Sequence, residues 1–233
     1  MWSVIKIERT ETYGWEAAVR GMRNPKNSWD KSDSHYCWEP QYPGSGCFGC
    51  ELNSDHNCRV DKYIIGKNDF DLMKTLAAAG NDHGKFLRMI TVTVDLTAPL
   101  YWWKEFDTYK VGTVADSCST MHKIHAKRFE RSDFSMEHLI PRMKEVMDVT
   151  IANLNACRGN FLETKDKTWW WQMIQLLPSS YNQKRTVQVN YAVLKNMYHA
   201  RKNHKLDEWH EFCRWIEALP YSELITGCNG EKR

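Results

Sequence analysis

The hydrophobic positions of this chain follow a two-residue period in two early segments and a helical period over most of the remainder. Residues 3–8 alternate weakly and predict a first strand. Residues 87–96 are rich in β-branched side chains, and Val92 and Val94 alternate with polar neighbours, which predicts a strand with one buried face. Few strands near the start of the chain, with many helices around and after them, predict an α+β fold.

Segments with apolar residues three and four positions apart predict seven helices. They span residues 14–22, 69–79, 99–109, 133–160, 169–177, 186–201 and 207–219. Asn68 is a suitable N-cap for the second of these helices, and Gly80 is a suitable residue directly after its end. Pro99 is favourable in the first turn of the third helix, while Pro141 either kinks the fourth helix or marks its true start.

Residues 24–61 are rich in Pro, Gly, Ser, Asn and Asp and lack periodicity, which predicts a long irregular insertion. This insertion contains Cys37, Cys47, Cys50 and Cys58, and the middle two form a C-x-x-C pair. Such a set can hold a tetrahedral zinc ion, but its spacing matches no standard zinc ribbon, and reduced surface thiols are the alternative. We therefore assign no metal ligand. Cys157, Cys213 and Cys228 are expected to be structural.

Composition narrows the class of protein. A hydrophobic fraction of 42% with 26% charged residues is ordinary for a globular protein. The net charge of +3 is small and dispersed, which does not favour nucleic-acid binding. The apolar stretches stop short of the roughly 20 residues that cross a bilayer. The first residues lack the apolar core of a signal peptide, so a cytoplasmic location is expected.

A stretch of residues 69–124 combines helix, turn, strand and a second helix opened by Ala98 and Pro99. This order resembles the central part of the flavin-dependent thymidylate synthases, the ThyX family. The family signature R-H-R-x(7)-S falls here on Thr108-Tyr109-Lys110, seven residues and then Cys118. The frame and the spacing are retained, while the chemistry at the signature positions differs.

The resemblance covers roughly residues 3–23 and 63–225. In the C-terminal half, NYAVLKNMYHAR is similar to the last active-site helix of the family, so that Asn196 and Arg201 fall on its N-x(4)-R pattern. The resemblance implies one domain over residues 1–233, interrupted by the insertion, with a small antiparallel sheet packed against several long helices. It also implies a homotetramer with active sites at subunit junctions.

The resemblance further implies FAD as cofactor, NADPH and methylenetetrahydrofolate as co-substrates, and a pyrimidine nucleotide such as dUMP as the methyl acceptor. The implied catalytic residues are Cys118, Ser119 and Arg201. The implied cofactor-binding residues are Thr108, Tyr109, Lys110 and Asn196. The implied substrate-binding residues are Lys104, Glu105, Thr120, Lys123 and Arg201.

Two departures from the family concern the nucleotide phosphate. The Arg that follows the signature by two residues is Thr120 here, and a second phosphate-binding Arg is replaced near Ile174. Each lost contact is worth about 1.5–3 kcal/mol. Replacement cations are available at His122, Lys123, Lys184 and Arg185. The alternative to an active enzyme is a non-catalytic or repurposed nucleotide-binding relative that has lost the usual contacts to flavin and phosphate.

Three single residues have two interpretations each. Cys118 is either an active-site thiol or a small residue in the space of a serine. Glu105 stands where the family has a nucleotide-contacting Gln; it either faces the base, which favours cytosine over uracil, or pairs with a cation such as Lys110. Arg201 lies three helical turns after Asn190, and we interpret it as ligand-facing rather than as a solvated helix-end cation.

Overall fold

The computed structural model describes residues 5–36 and 63–227. Its centre is a four-stranded sheet in which every neighbouring pair is antiparallel. The strands in chain order are β1 (Lys6–Tyr13), β2 (His35–Tyr36), β3 (Tyr63–Ile64), β4 (Thr91–Pro99), β5 (Thr113–Ser117) and β6 (Asn182–Asn190). The central sheet has the order β1-β4-β6-β5, and β2 and β3 form a separate two-stranded ladder.

Eight α-helices surround this sheet in the described part of the chain. They are α1 (Trp15–Arg23), α2 (Lys67–Ala78), α3 (Leu100–Phe106), α4 (Pro141–Thr164), α5 (Lys167–Leu176), α6 (Tyr191–Arg201), α7 (Asp207–Glu217) and α8 (Glu223–Thr226). The α+β class and the small antiparallel sheet are thus confirmed. Of these helices only α4, with 24 residues, exceeds 12 residues, and none is long and apolar enough to cross a bilayer.

The predicted helix over residues 186–201 is wrong in its first third. Strand β6 occupies Asn182–Asn190 and pairs with β4 along its whole length. Val187 and Val189 are buried, whereas the residues between and before them are exposed, which is the two-residue period of a strand. The Oδ1 of Asn190 then accepts a hydrogen bond from the backbone N–H of Val193 and starts α6.

Several other helix and strand boundaries differ from the predicted ones. Residues 84–88 form a 3₁₀ helix, so the strand predicted from residue 87 begins at Thr91. The fourth helix begins at Pro141, which settles the two readings of that proline. Asn68 lies inside α2 and does not cap it; instead the carboxylate of Asp33 accepts hydrogen bonds from the backbone N–H groups of Asn68 and Asp69. Gly80 follows α2 with a φ of 102°, as expected for a residue after a helix end.

The main hydrophobic core lies between the sheet and the helices. Trp102 and Trp103 of α3 are buried there; Trp102 packs against Trp209 and Phe212 of α7, and Trp103 packs against Trp102. The tryptophan pair of α3 therefore belongs to the core. A second, smaller cluster forms where α4 packs against α5; its buried members are Ile124, Phe129, Phe134, Ile151, Leu154 and Met173.

A buried ion pair connects α1 to α2. The Nε of Arg23 lies 2.6 Å from the Oδ1 of Asp69, and both side chains are almost fully buried. The Oδ2 of Asp69 accepts hydrogen bonds from the hydroxyls of Ser32 and Ser34 and from two backbone N–H groups of the same segment. Burial acts to raise the pKa of Asp69, but the hydrogen bonds from Ser32, Ser34 and Arg23 lower it below 3.8 overall.

The predicted insertion is described only in part. Residues 24–36 contain two 3₁₀ turns and strand β2, and β2 pairs with β3 through His35–Ile64 and Tyr36–Tyr63. Cys37, Cys47, Cys50 and Cys58 lie outside the described residues. The assignment of the whole chain to a single domain stays a prediction.

Candidate functional site

The end of α6 and the end of α3 bring three predicted site residues together. The Nη1 of Arg201 lies 2.7 Å from the Oε2 of Glu105, and its Nε donates a hydrogen bond of 2.9 Å to the hydroxyl of Tyr109. The guanidinium carbon also lies 4.9 Å from the ring centre of Trp209. We call Glu105, Tyr109, Arg201, His204 and Trp209 the Arg201 cluster.

Glu105 is the centre of this cluster. Besides Arg201, its Oε2 accepts a hydrogen bond of 3.0 Å from the indole N–H of Trp209, and the Nε2 of His204 lies 3.2 Å away. The cationic partner of Glu105 is therefore Arg201 and not Lys110, which corrects the pairing expected from the sequence. The sequence did not predict His204 and Trp209 as members of the cluster. The spacing of apolar residues in α7 shows that Trp209 is buried, but it does not show which group the indole N–H contacts.

A second group of predicted residues lines a cavity of about 380 Å³ at the ends of β5 and β6. Cys118, Ser119 and Thr120 form part of its wall, so the chain does bring these three together. We call this the Cys118 cavity. The backbone N–H of Cys118 donates to the carbonyl of Lys184, and its own carbonyl accepts a hydrogen bond from the side chain of Gln183. The thiol is exposed.

Three lysines, Lys6, Lys127 and Lys184, line the Cys118 cavity together with one acidic residue, Asp133. Each lysine is paired with a carboxylate: Lys6 with Glu8 at 3.0 Å, Lys127 with Asp133 and Lys184 with Asp95 at 2.9 Å. Hydrogen bonding to Asp133 raises the pKa of Lys127, and burial raises the pKa of Tyr181 in the same wall. Of the four proposed replacement cations only Lys184 belongs to the lining.

The other three replacement cations lie elsewhere. Arg185 does not line the Cys118 cavity: its guanidinium pairs with Asp107 at 2.7 Å, stacks on Trp103 at 4.2 Å and donates from Nε to the Oε1 of Gln183 in the cavity wall. His122 and Lys123 are exposed and are not part of the cavity wall. Lys123, which was predicted to bind the substrate together with Thr120, therefore does not line the cavity that Thr120 lines.

Asn196 lies in a different and larger cavity, of about 620 Å³. Its wall also contains Asn190, Arg88, Lys195 and His199, and none of its lining residues is acidic. Burial lowers the pKa of Lys195, and burial together with Lys202 and Lys195 lowers the pKa of His199. The lowered pKa favours the neutral form of His199, and Arg88 and Lys195 are the cations of this Asn196 cavity.

The other predicted cofactor-binding residues, Thr108, Tyr109 and Lys110, do not line the Asn196 cavity. Tyr109 and Lys110 line a third cavity of about 320 Å³, and the hydroxyl of Thr108 donates to the carbonyl of Glu105. Lys104, predicted to contact substrate, is exposed on α3. Directly after Lys110, however, Val111 and Gly112 line the Asn196 cavity.

Gly112 has to be glycine in this conformation. Its φ is 79°, and a Cβ would lie 2.7 Å from the Nδ2 of Asn190. The missing side chain therefore lets the backbone approach the amide of Asn190 in the wall of the Asn196 cavity.

Apart from Cys118, the His and Cys residues of the described part of the chain are not arranged for metal or thiol chemistry. No group of three or more His, Cys, Asp and Glu side chains there has the arrangement of a metal site. Cys213 is buried, and burial raises its pKa to about 11, as expected for a structural thiol. Cys157 is half-buried within the cluster between α4 and α5, and Cys228 lies outside the described residues.

Neither a protein-family model nor a curated protein matches this sequence. Two solved structures of the flavin-dependent thymidylate synthase ThyX from Helicobacter pylori, both with FAD and dUMP, are similar to the chain. One has a TM-score of 0.62 at 14% identity and covers 97% of this chain and 100% of its own. The other has a TM-score of 0.63 at 15% identity, covering 97% and 99%. The protein thus has a flavin-dependent thymidylate synthase-like fold.

Proposed function

We propose that the protein is an FAD-dependent enzyme that transfers a one-carbon unit reductively to a pyrimidine deoxynucleotide, with methylenetetrahydrofolate as donor and NADPH as reductant. The observation that carries this proposal is the similarity over the full length of both chains to a protein complexed with FAD and dUMP. The meeting of Arg201 with Glu105 and Tyr109 in one cluster supports it, since Arg201 is more than 90 residues from the other two in sequence.

The Asn196 cavity fits a flavin nucleotide. Its volume is within the range of ligand-binding cavities, and its wall offers two cations and no carboxylate to an anionic cofactor. The amides of Asn190 and Asn196 supply hydrogen bonds, and Gly112 leaves room beside them. Asn190, Asn196, Arg88 and Lys195 would hold the group. When bound, FAD would supply the reductive chemistry that no side chain provides.

The chain itself would position and polarise the nucleotide. The hydroxyl of Tyr109 and the ring of Trp209 hold the guanidinium of Arg201 in one orientation, so its donors are fixed before a pyrimidine arrives. The Cys118 cavity would take the nucleotide phosphate, because its wall offers the hydroxyls of Ser119 and Thr120 and three lysine side chains that donate hydrogen bonds. Cys118 would present its thiol to the same ligand.

Assembly into a cytoplasmic homotetramer is part of the proposal. Helix α4 and the residue before it expose Ile140, Met143, Val146 and Val149, a row of apolar side chains that is unusual on a free surface. The proposed binding residues are also distributed over separate cavities, an arrangement that suits sites completed at subunit junctions.

A second candidate function is a nucleotide-binding relative without catalysis. The specific observation that favours it is the ion pair between Arg201 and Glu105, because this pair neutralises the cation that would polarise the pyrimidine. Thr120 and Ile174, which replace two arginines of the family pattern, add no charge in compensation.

Titration with FAD tests the cofactor assignment. We expect binding that is weaker than in proteins with a complete Arg-His-Arg, because Lys110, the one cation at the signature positions, lines a separate cavity from Asn196 and cannot fork around a phosphate as Arg does. Asn196→Ala should weaken binding by about tenfold, the value of one hydrogen bond near 1.4 kcal/mol. Flavin fluorescence quenching measures both.

Asn203→Ala is the matched control, since Asn203 is an exposed amide just beyond α6. It should bind FAD like the unaltered protein. Absence of binding at about 100 times a micromolar dissociation constant would exclude the flavoprotein.

A further inference from the structure

The ion pair of Glu105 and Arg201 leaves hydrogen-bonding groups of both kinds unused. All three contacts of the carboxylate converge on Oε2, and within the described residues Oε1 accepts no hydrogen bond. Arg201 uses its Nε–H and one N–H of Nη1, so the second N–H of Nη1 and both N–H groups of Nη2 make no hydrogen bond within residues 5–36 and 63–227. The side chains of Glu105 and Arg201 remain 33% and 19% exposed, so a ligand can reach them.

This pair has no net charge, which makes it a poor phosphate site and a suitable partner for a neutral ring edge. A carboxylate in an ion pair only accepts hydrogen bonds, and a guanidinium only donates them. Along the pair a ligand therefore meets one acceptor followed by two donors. The fork of the guanidinium fixes the spacing of the two donors.

Cytosine and uracil differ in the order of donors and acceptors along their hydrogen-bonding edges. Cytosine presents an amino donor, the ring nitrogen as acceptor and a carbonyl acceptor, which complements one acceptor followed by two donors. Uracil presents a carbonyl, an N–H donor and a second carbonyl. If the carboxylate accepts from the N–H of uracil, one carbonyl lies beside the carboxylate without a donor and is repelled.

We propose that Glu105 is a specificity-determining residue that makes the Arg201 cluster select a pyrimidine with an amino group at ring position 4, as in cytosine, over uracil. This inference rests on the proposed nucleotide site. It names the substrate class of that site as a 4-aminopyrimidine deoxynucleotide. The position of His204 and Trp209 supports it, because both groups fix the carboxylate without using Oε1.

Equilibrium binding of dCMP and dUMP tests the proposal on the unaltered protein first. We expect dCMP to bind about tenfold more tightly or better, the discrimination of one well-placed base contact. Both nucleotides carry the same phosphate and sugar, so their ratio reports on the base alone. Glu105→Gln should bring the two affinities within about threefold, because an amide both donates and accepts.

Glu217→Gln is the control variant. It makes the same carboxylate-to-amide change at an exposed position on α7 whose partner is Tyr198, and it should leave the ratio unchanged. Equal affinities or a preference for dUMP in the unaltered protein would overturn the proposal, as would a ratio that Glu105→Gln does not alter. Binding of neither nucleotide would overturn the proposed function itself and this inference with it.

Discussion

Replacing Arg201 with alanine is expected to lower the affinity for pyrimidine nucleotides by about 100-fold, which corresponds to roughly 2.7 kcal/mol. Two effects add. The variant loses charge-assisted hydrogen bonds to the ring, and it leaves the Glu105 carboxylate without its cation in a place where it repels ring carbonyls. Calorimetric titration with dCMP and dUMP measures the loss.

The folded state should survive this substitution with a loss of about 1–2 kcal/mol. Arg201 is the last residue of α6, and Glu105 keeps the indole N–H of Trp209 and the nearby ring of His204. Arg158→Ala is a suitable control, since Arg158 donates from α4 to the carbonyl of His125 and touches none of the proposed site. Full nucleotide affinity in Arg201→Ala would show that the cluster is structural only.

Arg23→Met is expected to reduce the free energy of unfolding by about 3–5 kcal/mol, the usual cost of removing one partner of a buried ion pair. The change leaves the carboxylate of Asp69 buried with hydroxyl and backbone donors but no cation. Because that carboxylate also orders residues 32–34, the contact between α1 and α2 weakens as well. Urea unfolding at pH 7 measures the difference.

Arg20→Met on the same helix is the matched control. Arg20 is exposed and lies 3.6 Å from Glu16, so its loss should cost less than about 1 kcal/mol. Equal effects of the two substitutions would contradict the account of the buried pair.

Acid provides a second check. The pKa of folded Asp69 is below its unfolded value of 3.8, so its stabilisation is present above that pH and is lost as pH falls through the folded pKa. The difference in the free energy of unfolding between Arg23→Met and the unaltered protein should therefore become smaller as the pH falls through the folded pKa of Asp69.

The sequence predicted most of the fold where local chemistry decides the structure. Pro99 and Gly80 mark helix boundaries through their own backbone preferences, and the valines of β4 alternate clearly. It failed at residues 186–190, where Val187 fits the apolar stripe of the following helix as well as the face of a strand. Pairing with β4 decides between them, and such pairing has no local signature.

The candidate site was predictable to a smaller extent. Resemblance to a family indicated Glu105, Tyr109 and Arg201 separately, and the structure joins them across more than 90 residues of chain. That Glu105 would choose Arg201 and not the nearer Lys110 depends on where α6 ends relative to α3. The separation of Asn196 from the Cys118 cavity is likewise a property of the packed chain.

The most direct test of the proposed function is the fate of the nucleotide. The purified protein is incubated with FAD, NADPH, methylenetetrahydrofolate and a mixture of dCMP and dUMP, and the nucleotides are analysed by mass spectrometry. The account predicts that a nucleotide gains the mass of one methylene unit, as a methyl group replaces a ring hydrogen, and that the gain requires FAD. Nucleotides recovered unchanged from a protein that binds both FAD and nucleotide would contradict it.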